Sequence, residues 1–157
     1  MAVSEEAIFE NTYSQYGERL YRLCLVQLKN THDAEDAVQD VFVKRLYNAP
    51  EFKSPEHEKR WIYKVAVNLC RDRLRRKGRF DLPIEAAGDA VSQQRDLTLL
   101  ESVMRLPEKN RAVIHLHYYE GYSVKEISAI LGITISSVKM RLKRGREALQ
   151  GEWGDTV

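Results

Sequence analysis

The strongest indication of a fold lies in residues 123–149, SVKEISAILGITISSVKMRLKRGREAL. Ser123 can cap a first helix, and Gly132 permits a tight turn after it. Thr134 can open a second helix, in which Val138 and Leu142 would face the core. This spacing predicts a helix-turn-helix. The alternative is an ordinary helical hairpin with a basic exposed face.

The second helix of this motif is predicted to present cations to the major groove of DNA. Gly145 departs from good helix design, because glycine in a helix interior costs up to ~1 kcal/mol relative to alanine. Ser128 is small, as a close crossing of two helices requires. The predicted reading set is Ser136, Ser137, Lys139, Met140, Lys143 and Arg144.

A second basic helix is predicted over residues 59–76, KRWIYKVAVNLCRDRLRR. Its cations can follow phosphates, Asn68 can read a base edge, and Trp61 or Tyr63 can stack on a base, which together suit single-stranded DNA. The alternative is that Trp61 belongs to the core and the arginines form a solvated helix end. The predicted DNA-binding set is Arg60, Trp61, Tyr63, Lys64, Asn68, Arg71 and Arg75.

An acidic helix is predicted over residues 33–42, DAEDAVQDVF, with its apolar residues facing inward. No histidine, metal-ligand spacing or glycine-rich phosphate loop accompanies its carboxylates, so the sequence predicts no catalytic site, no metal site and no cofactor. On its own the motif is typical of a solvated acidic face. His115 and His117 are predicted to lie on a helix surface, not to form a ligand pair.

The charges of the 157 residues are segregated along the chain. Residues 1–80 carry 15 Lys/Arg and 12 Asp/Glu, residues 81–102 carry 1 and 5, and residues 103–150 carry 9 and 4. Two basic regions therefore flank an acidic spacer, as expected for a protein that contacts a polyanion at two places. Cys24 and Cys70 lack a CxxC arrangement, so we expect buried reduced thiols. We also expect a soluble cytoplasmic protein without membrane insertion.

The fold class predicted from these patterns is all-α, because helical periodicity recurs and no segment alternates strictly between apolar and polar residues. We predict two small helical modules, residues 1–79 and 102–157, joined by a flexible acidic linker over 80–101. The 22 linker residues can extend about 73–79 Å at ~3.3–3.6 Å each. Two DNA sites two helical turns apart lie roughly 70 Å from each other, so one chain can span them.

Taken in order, these segments resemble the extracytoplasmic-function (ECF) group of bacterial sigma factors. The pattern before the acidic helix matches as well, through Phe9, Tyr13, Tyr16, Arg19, Leu20, Tyr21, Arg22 and Leu23. The resemblance implies partners: core RNA polymerase through its beta-prime and beta subunits, promoter DNA, and an anti-sigma factor. The set it implies for polymerase binding is Asp33, Asp36, Gln39, Asp40 and Phe42.

The resemblance also implies that the helix over 59–76, with the loop 51–57 before it, captures and melts the promoter minus-10 element. The helix-turn-helix would read the minus-35 element. No enzymatic activity is implied, since polymerase supplies the catalytic magnesium. The alternatives are a free-standing helix-turn-helix regulator and an enzyme. The first alternative assigns no function to the acidic helix or to the Trp61 helix.

Overall fold

The computed structural model describes residues 4–77 and 101–153, which form helices and no strand, so the all-α prediction is confirmed for these residues. Residues 4–77, here the amino-terminal module, contain three helices: α1 (Glu5–Leu28), α2 (Thr31–Tyr47) and α3 (Pro55–Lys77). Residues 101–153, here the carboxy-terminal module, open on a helical turn over 101–104. They continue with α4 (Glu108–Ile114), a π-helical turn (His115–Tyr119), α5 (Val124–Leu131) and α6 (Ile135–Trp153). The predicted linker, except for residue 101, lies outside the described residues.

The amino-terminal module is held by helices whose ends are marked by local capping. The Ser4 hydroxyl caps α1 by accepting a hydrogen bond from the Ala7 amide at 3.1 Å, and Asn30 caps α2 through the Asp33 amide at 2.9 Å. Such caps satisfy backbone donors that have no partner within the helix. The three helices then pack against one another around Leu20, Leu23, Val41, Ile62 and Ala66, all fully buried.

Helix α3 begins at Pro55, four residues earlier than the start predicted at Lys59. The loop expected before the helix, over residues 51–57, includes Pro55. Proline is favoured at the first position of a helix, because its missing N–H would have no partner there. Ser54 completes the start, since its hydroxyl accepts a hydrogen bond from the His57 amide at 3.1 Å.

Cys24 on α1 and Cys70 on α3 are free thiols, both fully buried, as predicted. They lie side by side in the contact between the two helices. The hydrogen bond with Cys24, followed by burial, raises the pKa of the Cys70 thiol well above its usual value.

The helix-turn-helix predicted from the sequence is formed by α5 and α6. Ser123 and Glu126 make a reciprocal capping box at the start of α5, and Gly132 ends that helix with φ at 69°. A left-handed backbone of this kind favours glycine. Ser128 donates its hydroxyl hydrogen to the Ile133 carbonyl at 2.5 Å, which fixes the turn. Among the described residues, no helix is both long and apolar enough to cross a membrane.

The packing of α6 explains why a glycine occupies position 145, which the sequence alone did not show. Gly145 is buried in α6, where that helix crosses α4. A Cβ at this position would lie 2.5 Å from the Ile114 Cγ1 and 2.8 Å from its Cδ1. The glycine therefore allows the two helices to approach closely, which offsets its poor helix propensity.

Candidate polymerase and nucleic-acid interfaces

The acidic face of α2 presents a mixture of free and engaged side chains. Gln39 is exposed, and the Asp36 carboxylate is about half exposed, 3.8 Å from the His32 ring. Asp33 is partly buried at the capped start of the helix. Asp40 forms an ion pair with Arg73 of α3, so its carboxylate already has a partner within the module.

Phe42 was predicted to bind polymerase together with the acidic residues of α2. This prediction is corrected, because Phe42 does not lie on the exposed face of the helix. Its side chain is 3% exposed, and its ring lies edge-on to Phe9 with centroids 5.3 Å apart. The apolar stripe of α2 faces the core, which turns Phe42 inward. Its ring packs beneath the helix and forms part of the lining of a groove between α1 and α2.

An apolar groove between α1 and α2 was not anticipated from the sequence. Phe9 and Tyr13 form its wall with stacked rings, and Tyr13 is 60% exposed. Gln39 lies on the same groove. The aromatic spacing in α1 predicted a helix, but periodicity alone does not distinguish a covered aromatic from one left on a rim.

Helix α3 exposes most of its predicted DNA-binding face. Arg60, Lys64, Asn68 and Arg75 are exposed. They occupy the side of the helix opposite the core residues Ile62, Ala66 and Cys70, all of which are fully buried. An amide between cations on one helix face can hydrogen-bond a base while the cations hold the backbone.

Trp61 is half buried at the edge of this face. Its ring lies against the Phe52 ring, with 5.6 Å between the centroids. The Arg45 guanidinium lies over the Phe52 ring, 4.9 Å from its centroid. Phe52 also contacts the His57 ring. These contacts attach the loop before α3 to the helix itself, so loop and helix form one surface.

Tyr63 is corrected from its predicted role as an exposed stacking residue. It is fully buried, and its hydroxyl donates to Glu120 Oε2 at 3.0 Å. Its ring packs edge-on to Tyr122 and Tyr16, with centroids 5.1 and 6.2 Å away. Burial, and then the nearby Glu120 carboxylate, raises the pKa of the Tyr63 hydroxyl above its usual value. In this arrangement the ring is not available to a base.

Two cations of α3 are also engaged by the carboxy-terminal module. Lys59 Nζ lies 2.9 Å from Glu126 Oε2, and Arg71 Nε lies 3.5 Å from Glu108 Oε1. Hydrogen bonds from Lys59 and from the Ser123 amide lower the pKa of Glu126. The predicted DNA contact Arg71 is therefore paired with a carboxylate in this structure.

The predicted reading side chains of α6 lie on the open side of the helix-turn-helix. Ser136, Lys139, Met140, Lys143 and Arg144 are exposed, whereas Val138 and Leu142 are buried. Ser137 is half buried, and its amide donates to the Thr134 hydroxyl at 3.0 Å, so it helps to start the helix. Basic side chains opposite a buried stripe are the arrangement that a recognition helix requires.

The two histidines of the second module do not share the surface predicted for them. His115 is 1% exposed, because the π-helical turn places its ring on Tyr119 and within 3.3 Å of Glu120 Oε1. His117 is partly buried, and its Nδ1 donates to the Tyr122 carbonyl at 2.9 Å. No cluster of three potential metal ligands occurs within 4–77 or 101–153.

Comparison with protein families matches both modules. The model for sigma-70 region 2 covers residues 12–80, and the model for sigma-70 region 4 covers residues 96–149. The ECF RNA polymerase sigma factor SigW of Bacillus subtilis is 33% identical, over 96% of this chain and 91% of that protein. The ECF sigma factor SigM of Mycobacterium tuberculosis is 30% identical, over 90% of this chain and 74% of that protein.

Two solved structures share the fold. CnrH, in complex with the cytosolic domain of CnrY, has a TM-score of 0.71 and 24% identity, covering 98% of this chain and 92% of that one. The sigma factor RpoE of Bartonella quintana, in complex with the anti-sigma factor NepR, has a TM-score of 0.74 and 22% identity. The match covers 95% of this chain and 98% of the RpoE chain.

Proposed function

The chain belongs to the ECF RNA polymerase sigma factors, which direct promoter-specific initiation of transcription, and we propose how its surfaces divide that work. The acidic side of α2 binds core polymerase, α3 with its preceding loop binds the minus-10 element, and α6 reads the minus-35 element. The family acts as initiation factors without catalysis of their own, and polymerase supplies the chemistry. We place the chain in the cytoplasm, where polymerase acts.

The observation that carries this division is the pair of exposed basic faces, one in each module. Lys64, Asn68 and Arg75 lie outward on α3, and Lys139 and Arg144 lie outward on α6. Each face stands opposite a buried apolar stripe, so neither set of cations is needed to hold the fold. Cations that the core does not use are free to neutralise phosphates and to donate to base edges.

The polymerase surface is proposed from the remaining exposed side of the first module. Asp36 and Gln39 project from α2 beside the groove that contains Phe9 and Tyr13. A surface that combines carboxylates with exposed aromatics suits a helical partner bearing cations and apolar side chains. The coiled coil of the beta-prime subunit is the partner that the family implies.

An anti-sigma factor is proposed as a further partner. Both CnrH and the RpoE structure are complexes, the second of them with a protein called an anti-sigma factor. The two modules of this chain offer such a protein a surface that crosses both of them.

The test is run-off transcription with purified core polymerase, the full-length chain and a promoter pool randomised around minus-10 and minus-35. We expect new start sites that depend on the chain. Arg144→Ala should relax the selected minus-35 sequence, while Lys109→Ala, which removes an exposed cation from α4, serves as the matched control. DNA binding without polymerase and without new start sites would favour a free-standing helix-turn-helix regulator instead.

A further inference from the structure

The loop before α3 is attached to the helix at two points. Phe52 is half-buried, and its ring packs against the Trp61 ring. Lys53 and Ser54, the next two residues, are exposed. Both of them are hydrogen-bonded to His57, in the first turn of α3. His57 therefore holds the part of the loop that lies open to a partner.

The two hydrogen bonds form an unusual helix cap. The His57 amide donates to Ser54 Oγ at 3.1 Å, and the Lys53 amide donates to His57 Nδ1, also at 3.1 Å. In an ordinary capping box, the side chain that reaches back as acceptor is a glutamate or glutamine, three residues after the cap. His57 occupies that position, and its ring also packs edge-on to Phe52 with centroids 5.3 Å apart. A titratable ring thus replaces the usual acceptor.

The hydrogen bond from Lys53 fixes the state of the His57 ring. A neutral imidazole has one donor nitrogen and one acceptor nitrogen, so acceptance at Nδ1 assigns the proton to Nε2. A second proton, on Nδ1, would turn this acceptor into a donor. Two donors would then face each other across 3.1 Å, and the hydrogen bond that holds the Lys53 backbone would be lost.

The charged side chains around His57 come from three elements. Helix α3 contributes Glu56, Glu58 and Arg60, the loop contributes Lys53, and α2 contributes Arg45, which pairs with Glu58 at 3.0 Å. Side chains of these four types keep their ordinary charge between pH 5 and 8, whereas histidine gains or loses a proton in that range. Within this described surface, His57 is the side chain expected to respond to pH.

We propose that His57 is a positioning residue for minus-10 binding: its neutral ring holds Lys53 and Ser54 in the conformation that binds DNA, and protonation of Nδ1 releases them. A loop already held in its bound conformation loses less entropy on binding. Binding should therefore weaken as the pH falls and histidine gains a proton. A histidine that only attracted phosphates would have the opposite effect, because its positive charge would strengthen binding in acid.

The role of His57 in DNA binding rests on the proposed function, whereas its hydrogen bond is measured without DNA or polymerase. In NMR spectra of the nitrogen-15-labelled full-length chain at pH 7.5, we expect a scalar coupling across the hydrogen bond, between the Lys53 amide nitrogen and His57 Nδ1. At pH 5.5 the coupling should disappear, and both ring nitrogens should carry protons. A proton on Nδ1 at pH 7.5, or no coupling at that pH, would refute the proposal.

Two substitutions separate the acceptor from the ring. His57→Phe keeps an aromatic ring beside Phe52 and removes the acceptor, whereas His57→Gln supplies a capping-box acceptor that does not titrate. Both variants retain the other three histidines, so their pH effects cancel in the comparison. At pH 7.5 the Lys53 amide should exchange with solvent about fivefold faster in His57→Phe than in the wild type, as expected for one hydrogen bond. Unchanged helicity by circular dichroism shows that both variants fold.

DNA binding is measured by fluorescence anisotropy on holoenzymes assembled from core polymerase and each chain. The probe is a single-stranded oligonucleotide with the minus-10 sequence selected from the promoter pool. At pH 7.5, His57→Phe should bind about fivefold more weakly than His57→Gln. Between pH 7.5 and 5.5, the affinity of the wild type relative to His57→Gln should fall about three- to fivefold, and that of His57→Phe should not change.

The outcomes distinguish the role of His57 from the proposed function. Equal pH dependence of the wild type and His57→Gln would refute the positioning role. A relative affinity of the wild type that rises in acid would refute it as well, and would make His57 a cation that contacts phosphates. Failure of every chain to bind the oligonucleotide, with the coupling to Lys53 present, would instead refute the proposed minus-10 function and leave the pH-dependent hydrogen bond in place.

Discussion

Gly145→Ala is expected to destabilise the carboxy-terminal module, although alanine is the better helix former. The added methyl group would lie 2.5 Å from Cγ1 of Ile114 and 2.8 Å from its Cδ1. Ile114 is 1% exposed, and Cγ1 lies in the middle of a stiff branched side chain. To accommodate the methyl group, α4 and α6 must move apart or Ile114 must leave its rotamer.

The size of the effect follows from two opposing contributions. Alanine gains up to ~1 kcal/mol of helix propensity over glycine. Overpacking a well-filled core costs typically ~1–3 kcal/mol, and a contact this short belongs at the upper end. The free energy of unfolding should therefore fall by about 1–2 kcal/mol. For a chain of this size that corresponds to a decrease in Tm of roughly 2–8 °C.

Urea unfolding followed by circular dichroism measures the change. Ala148→Gly, at an exposed position of the same helix, calibrates propensity alone and should cost up to ~1 kcal/mol. In an Ile114→Ala background, which lacks both clashing atoms, Gly145→Ala should become stabilising. If Gly145→Ala raises the unfolding midpoint in the wild-type background, the close approach of α4 and α6 is not what requires glycine.

Three further predictions concern the proposed interfaces. Asp36→Lys should weaken binding to core polymerase, because it reverses a half-exposed charge on α2 and leaves the ion pair of Asp40 intact. Unchanged affinity in a titration of the folded variant would remove this surface from the proposal. Asn68→Ala should alter the preferred minus-10 sequence, whereas Arg75→Ala should weaken all promoters alike and reduce the salt dependence; a uniform loss from both would show that Asn68 reads no base. Arg144→Ala should relax one minus-35 position by ~1–3 kcal/mol of discrimination, measured by selection from a randomised library; an altered minus-10 preference in its place would show that α6 is wrongly assigned.

The local structure of this chain could be predicted because its signals are local. Ser123 and Gly132 mark the two ends of α5 within ten residues of sequence, and the periodic apolar residues define which face each helix buries. Pro55 was misplaced because proline both ends helices and begins them, and the cap that decides between these roles is formed by the neighbouring Ser54.

The parts that could not be predicted depend on contacts between distant segments. Tyr63 and Glu120 are 57 residues apart in the chain, and nothing near either residue indicates the other. A tyrosine on a basic helix is equally consistent with stacking on a base and with packing against a second module. The need for glycine at position 145 could not be predicted either, because Ile114 comes close to it only when α4 and α6 have packed across each other.

The neighbouring thiols of Cys24 and Cys70 are a natural chemical probe of how often their buried surroundings open. Thiolates react with alkylating agents, and a buried thiol with a raised pKa reacts only when its surroundings open. Both residues lie in the contact between α1 and α3, and the charge of Arg111 from the second module acts on the Cys70 thiol. The rate of alkylation in the native protein therefore reports how often the contact between α1 and α3 opens, without an introduced label.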